Sequence, residues 1–293
     1  MNFAFRGTRR NELFLTNSVN QNIEMFRPIY NWFKNQLELI APDTRFGFFE
    51  QFIQEEHPLY EQFNTVLSEL DTGISRVGGE EVNFDSLPIP ESLKQDLRSK
   101  VKEGDTVRIM GGDTYRFLVT RKEGQLVAQK IVTYHKFGNA QEVKFDLAEE
   151  SDGTRRVIDL LPAFLKLAEH KHPKVFVFDE LDRSLHTLLT QHFLKTFLNS
   201  CNQKTRSQML FTTHDVLVMD QNTMRRDEMW VTERDETGNS VLFSFSNYKD
   251  VRYDKDLQKS YLQGRLGGVP RILRQETQSV ASPSSQYRTK DAG

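Results

Sequence analysis

The chain has 293 residues, long enough to bury a sizeable core in one or two domains. Its 39 basic and 41 acidic residues leave a net charge of −2, so no global field draws in nucleic acid, and only a local basic patch stays open. No apolar run has the length of a membrane span, the N-terminal MNFAFRGTRRNELFL carries no secretory pattern, and the single cysteine, Cys201, cannot form an internal disulfide, which points to a reducing, cytoplasmic setting without a membrane.

In chain order, residues 11–40 read as helical, with Ile23, Met25, Phe26, Ile29, Tyr30, Trp32 and Phe33 near a 3.6-residue period and Pro28 marking a kink or fresh start. Residues 46–72 read as helical again, 73–90 as loop, and Pro90–Val101 as a short exposed helix with proline at its start. From Thr106 to Leu147 the texture becomes alternating and β-rich, with Gly111-Gly112, Glu123-Gly124 and Gly138-Asn139 as turns, which predicts an antiparallel meander. A helix is expected over 152–169, a strand over 174–179, and a helix over 183–200 with Asp182 as its N-cap. A strand follows at 208–213, two more near 228–233 and 240–246, and a short helix near 255–263; the polar tail after Arg274 reads as disordered. The 22 phenylalanines predict a core packed on aromatic rings.

The chemistry concentrates in KVFVFDELD, Lys174–Asp182. Four apolar residues run into Asp179 and Glu180, as a strand buried on both faces of a parallel sheet would at its ligand-binding carboxyl end. This is a Walker B pattern: Asp179 is placed to hold Mg²⁺, usually through water, and Glu180 to polarise the water that attacks a γ-phosphate. An acidic pair that merely begins a turn is the bland alternative. Three further motifs accompany it in fixed order: Ser151-Asp152-Gly153-Thr154-Arg155-Arg156 opening a helix, Leu181-Asp182-Arg183-Ser184-Leu185-His186 directly after the acids, and Thr212-Thr213-His214-Asp215 closing the next strand.

The segments SDGTRRVIDLLP, FVFDELDRSLH and FTTHD, with YLQGRLGGVPRI near the end, resemble the ABC-like P-loop ATPases of the SMC and OLD-like branch, and more closely the bacterial AAA-type ATPases of abortive-infection and phage-defence systems. The likeness covers roughly 145–272 well and 1–60 loosely. It implies an α/β fold: a P-loop NTPase-like, ABC-type sheet with flanking helices, plus a helical N-terminal region and a small antiparallel β insertion. Residues 1–104 would be the mainly helical region, 105–148 the β insertion, 149–272 the C-terminal half of the ATPase, and 273–293 a disordered tail. It implies ATP and Mg²⁺ as cofactors, with Ser151, Gly153 and Thr154 forming the signature segment that offers a helix N-terminus to the γ-phosphate of an opposite subunit. A plain N-cap is the competing reading of Ser151, and Asp152 is expected to point away from a phosphate or to cap the helix. Asp182 would belong to a D-loop crossing a dimer interface, and His214 would contact and sense the γ-phosphate, against the alternative of a structural histidine. Glu180 and His214 are thus the catalytic candidates, and Asp179 the metal candidate.

A phosphate-cradling loop, G-x-x-x-x-G-K-[ST], is missing: none of the 16 glycines is followed by lysine. The resembled ATPases carry it near their N-terminus, so the chain is expected to begin after that region, as a fragment or one part of a split protein. An unpaired edge beside 174–179 and low stability without a partner are the expected consequences. The leading expectation is a dimeric ATP-driven switch acting on a nuclease or toxin effector, as a homodimer or with a chain that supplies the loop. A non-catalytic interaction or regulatory module that keeps the dimer surface is the alternative. A metal-dependent nuclease built on Glu142-x-Lys144 is a third and weaker reading, because alternation there predicts exposure. The pairs Arg9-Arg10, Arg155-Arg156 and Arg225-Arg226 leave nucleic-acid binding possible, though they read mostly as solvated faces.

Overall fold

A computed structural model describes residues 2–44, 52–53, 57–111, 115–138, 141–168, 173–248 and 257–269. The chain divides into two compact units, Met1–Val218 and Met219–Gly293.

The first unit opens with helices α1 (Asn2–Gly7), α2 (Phe14–Asn20) and α3 (Arg27–Asn35), the last with Pro28 in its first turn. Strand β1 (Leu37–Ile40) follows where the helical reading of 11–40 had expected no strand. Four residues after an unbroken helical pattern carry too little alternation to announce a strand; pairing decides it. Of the helix read over 46–72, α4 (Pro58–Glu69) is present, capped by the His57 ring, and 45–51 and 54–56 lie outside the described residues.

The predicted loop over 73–90 instead holds β2 (Ile74–Val82), the edge strand of an antiparallel sheet. Its Gly78-Gly79 and Glu80-Glu81 read as loop composition, but β2 pairs along β5 (Gln125–Phe137), where Arg76 lies 3.6 Å over the Tyr134 ring. After α5 (Glu91–Lys100), the strands β3 (Thr106–Gly111) and β4 (Tyr115–Lys122) complete the order β2-β5-β4-β3, and β6 (Gln141–Asp146) pairs with the far half of β5. The expected meander over 106–147 is therefore one part of a larger sheet.

Helix α6 (Asp152–Ala168) starts at Ser151, whose Oγ accepts the Thr154 N–H at 3.1 Å, and Asp152 places a negative charge in its first turn. Next come β7 (Val175–Phe178), α7 (Thr187–Ser200) and β8 (Gln208–Phe211). β1, β7 and β8 form a parallel sheet with β7 in the centre. The expected unpaired edge beside 174–179 is thus corrected: β7 is paired on both sides, and β1 and β8 are the edges among the described residues.

Register explains the core. Ile40, Phe178 and Phe211 lie abreast, as do Glu38, Phe176 and Met209. On this face Phe178 stacks on Phe164 of α6 at 5.1 Å between centroids, and Phe164 on Phe193 of α7 at 4.6 Å, the aromatic core that the composition predicted. The opposite face carries Leu39, Val177 and Leu210 in one row; Leu39 is 65% and Leu210 61% exposed. β7 is therefore buried on one face, not both. Among the described residues no helix is long and apolar enough to cross a membrane.

The second unit contains the hairpin β9 (Trp230–Arg234) and β10 (Ser240–Ser244), and α8 (Leu257–Leu262). Met229, Val231, Phe245, Leu257 and Leu266 form its core. The predicted tail lies outside the described residues.

Candidate functional site

The acids stand at the carboxyl end of the central strand of the parallel sheet. The Asp179 N–H still donates to Ile40 O at 2.9 Å, so the ladder to β1 holds this residue. The chain then turns sharply: Glu180 has φ +49°, the left-handed region that costs a non-glycine residue about 1–2 kcal/mol. Thr212, at the end of neighbouring β8, secures the turn. Its Oγ1 donates to Asp179 Oδ1 at 2.6 Å and accepts the Glu180 N–H at 2.8 Å, while its carbonyl accepts the Leu181 N–H at 3.0 Å. Residues 178 and 211 are register partners, so the strand ends place Thr212 against both acids.

His214 is also at this rim. Its side chain is 84% exposed, and its Nε2 lies 3.7 Å from Glu180 Oε1; on the other side Arg183 Nη1 lies 3.8 Å from Glu180 Oε2. The Glu180 carboxylate is therefore flanked by two nitrogen groups, neither at hydrogen-bond distance. Asp182 does not cap a helix. Its Oδ1 accepts the His214 N–H at 3.3 Å, and α7 begins at Thr187 with His186 as its cap, through Nδ1 and the Leu188 N–H at 3.2 Å. Residues 180–186 form a loop, with a second left-handed residue at Ser184, φ +61°. Asp215 braces the start of α7 by accepting from the Thr187 hydroxyl.

The segment Ser151–Thr154 meets this loop from the other side. A Cβ on Gly153 would stand 2.8 Å from the Ser184 carbonyl oxygen, so only glycine allows this approach. The Ser151 hydroxyl is engaged in capping and lies 2.9 Å from Thr154 Oγ1. Asp152 pairs with Arg155 and is exposed to solvent. No hydrogen bond or ion pair joins Ser151, Gly153 or Thr154 to Asp179, Glu180 or His214 among the described residues.

Two arginines depart from the reading as solvated faces. Arg156 is buried between α6 and its surroundings, and burial lowers its pKa, opposed by Asp159 and reinforced by Arg183. Arg226 is buried in the second unit. Arg9 and Arg10 are exposed, and Arg225 is spent on Asp227 and Glu228. Glu142 and Lys144, exposed on β6, are tied to Arg76 and Glu80, so the nuclease reading has no convergent acids around it. His170 and His172 lie outside the described residues. Sequence reasoning gave Thr212 no role; its signal was a pair of threonines where the strand of FTTHD ends.

The donors suit a hard cation such as Mg²⁺, for which carboxylate oxygens, waters and nucleotide phosphates are the natural ligands. Among the described residues no three His, Cys, Asp or Glu side chains cluster, so Asp179 and Glu180 do not enclose a cation by themselves.

Comparison with curated proteins gives no match. The family model described as "AAA domain, putative AbiEii toxin, Type IV TA system" matches residues 6–220, which span the parallel sheet, the five-stranded antiparallel sheet, the acid pair and His214. The chain therefore belongs to this AAA-domain family, the abortive-infection kind of P-loop, nucleotide-binding ATPase.

Proposed function

We propose that this chain supplies the Walker B, signature and switch-histidine portion of a dimeric ATP-hydrolysing switch. The observation that carries the reading is the triad of acids and histidine at one sheet rim: Asp179 tied to Thr212 at 2.6 Å, and Glu180 held in a left-handed turn 3.7 Å from His214. Asp179, oriented by the Thr212 hydroxyl, would hold Mg²⁺ through water beside the β- and γ-phosphates. The bound cation would neutralise phosphate charge as it develops. Glu180 would orient the attacking water, and His214 would report on the γ-phosphate through its exposed ring. The start of α6, at Ser151, Gly153 and Thr154, would face the nucleotide of an opposing copy, with Asp182 in the loop along that interface. The output would pass to a toxin or nuclease effector in a toxin–antitoxin or phage-defence system.

Hydrolysis also needs a phosphate-binding loop, which these 293 residues do not contain. The test is therefore ATP turnover by the chain joined to, or mixed with, a segment carrying G-x-x-x-x-G-K-[ST], against the same assembly with Glu180→Gln. A large fall in turnover with retained ATP binding is expected; equal rates remove Glu180 from the mechanism. The missing loop and the use of the Ser151 hydroxyl as a cap favour a second reading, a non-catalytic module that keeps the dimer surface. Calorimetry with Mg²⁺ and ATP separates the two, because binding by this chain alone argues against the inert module.

A further inference from the structure

Glu150 is the residue before Ser151, and its carboxylate goes inward: the side chain is 7% exposed. Two residues of β5 receive it. Thr133 and His135 stand two apart on the strand and so share a face. The Thr133 hydroxyl donates to Glu150 Oε1, and His135 Nε2 lies 2.7 Å from the same oxygen. A carboxylate only accepts, so Nε2 carries the proton. Thr133 is fully buried. The His135 ring is itself wedged. Its centroid lies 4.7 Å from that of Phe145 in an edge contact, and a Cβ on Gly73 would stand 3.3 Å from its Nδ1.

A buried carboxylate is destabilising unless charge-assisted hydrogen bonds hold it, and here those bonds come from a strand rather than from the helix that follows. An acid that merely complemented the helix dipole would stay in solvent beside the first turn, as Asp152 does. The backbone of Glu150 joins the single turn Leu147–Glu149 to Ser151, whose Oγ and carbonyl accept the Thr154 and Arg155 N–H groups at 3.1 and 3.0 Å. Arg155 Nη1 donates back to the Ala148 carbonyl at 3.3 Å. Further along α6, Asp159 is held by Arg116 of β4 at 2.5 and 2.9 Å. Neighbouring strands of the antiparallel sheet therefore hold α6 at two places, one of them immediately before its start.

We propose that Glu150, clasped by Thr133 and His135, is a positioning residue: it fixes where the first turn of α6 stands, and with it the approach of Gly153 to the Ser184 carbonyl. The antiparallel sheet thereby sets how the helix start is presented. The consequence for turnover rests on the dimeric-switch reading; the clasp rests on distances within this chain.

The test is native-state hydrogen exchange of the 293-residue chain, read at single amides. Glu150→Asp keeps the charge but draws the carboxylate back by about 1.5 Å, out of reach of both donors. It should speed exchange at Thr154 and Arg155 by about tenfold or more. The amides of Val175 and Thr212, bonded in the parallel sheet at 2.8 and 2.9 Å, should keep their rates. Glu150→Gln loses the charge but keeps an oxygen at the same reach, and should exchange like the wild type. Thr133→Val, which keeps shape and removes one donor, should give part of the effect, and it tests the clasp even where Glu150→Asp does not fold. Unchanged rates at Thr154 and Arg155 in both Glu150→Asp and Thr133→Val overturn the proposal. So does equal acceleration at all four amides, which marks a general loss of stability, and so does a Glu150→Gln protein that exchanges like Glu150→Asp, which makes charge rather than reach decisive. In the assembly completed with a phosphate-binding loop, Glu150→Asp should lower kcat with little change in KM for ATP, and Glu150→Gln should restore kcat. Faster exchange with unchanged kcat reduces the clasp to a structural contact and overturns the positioning role. Normal turnover by Glu180→Gln would sink the hydrolytic mechanism while leaving the exchange result standing.

Discussion

Replacing Gly153 with alanine probes how tightly the start of α6 is pressed against the loop 180–186. The added Cβ would stand 2.8 Å from the Ser184 carbonyl oxygen, where carbon and oxygen settle at about 3.3–3.6 Å. The obstacle is backbone, and Ser184 is already in the left-handed region, so the loop cannot retreat by rotating a side chain. Alanine gains about 0.8–1.0 kcal/mol over glycine inside a helix, and forcing an extra methyl into a filled space costs about 1–3 kcal/mol. The balance is a loss of up to about 2 kcal/mol, or a fall of up to about 4–8 °C in melting temperature for a unit of this size. Circular dichroism melting reads it directly. Ser184→Gly should return part of the loss when combined with Gly153→Ala, because glycine carries no left-handed penalty and lets the loop shift. A Gly153→Ala protein that melts at or above the wild type would refute the tight approach, since helix preference alone would then decide.

The Arg116–Asp159 pair, 10% and 12% exposed, joins β4 to α6, so Arg116→Met should cost about 3–5 kcal/mol in denaturant unfolding, with most of the loss recovered when Asp159→Leu is added. Thr212→Val keeps shape but removes both hydroxyl contacts to the acids; because they are exposed, the expected cost is about 1–3 kcal/mol for the two together, and turnover of the complete assembly should fall while Thr212→Ser retains it. Glu142 has its carboxyl pKa lowered from 4.5, first by its hydrogen bond from Arg76 and against the opposing effect of burial. A depressed carboxylate stabilises the fold above its ordinary pKa and loses that contribution as pH falls through the folded value. The melting difference between wild type and Glu142→Gln should therefore be full at neutral pH and shrink below pH 4.5; a difference that grows on acidification would contradict the sign.

Most of the fold was legible where a pattern ran long enough. α6 and α8 fall within about a residue or two of their predicted limits, β7, β8 and β10 fall inside theirs, and β9 runs one residue past its predicted end, because apolar spacing over a whole element outweighs any one residue. β1 and β2 were missed for opposite reasons. LELI is too short to show a period, and ISRVGGEEV looks like loop until β5 supplies its partners and Tyr134 covers Arg76. The start of α7 was placed four residues early because Asp182 is a good cap by type; in the folded chain its carboxylate turns to the His214 N–H instead.

Sequence alone determined the chemistry at the rim: two acids after an apolar run, a histidine after the next strand, and a glycine at a helix start. Their order along the chain is local information, and so is the lack of a phosphate loop among these residues. Tertiary structure decided which groups serve those acids and which charges go inside. Thr212 reaches Asp179 and Glu180 only because β8 lies beside β7 in register. Nothing in the dipeptide Arg155-Arg156 says which guanidinium goes inside; the packing of one helix face, set by side chains far away in sequence, buries Arg156 and leaves one edge of it unpaired.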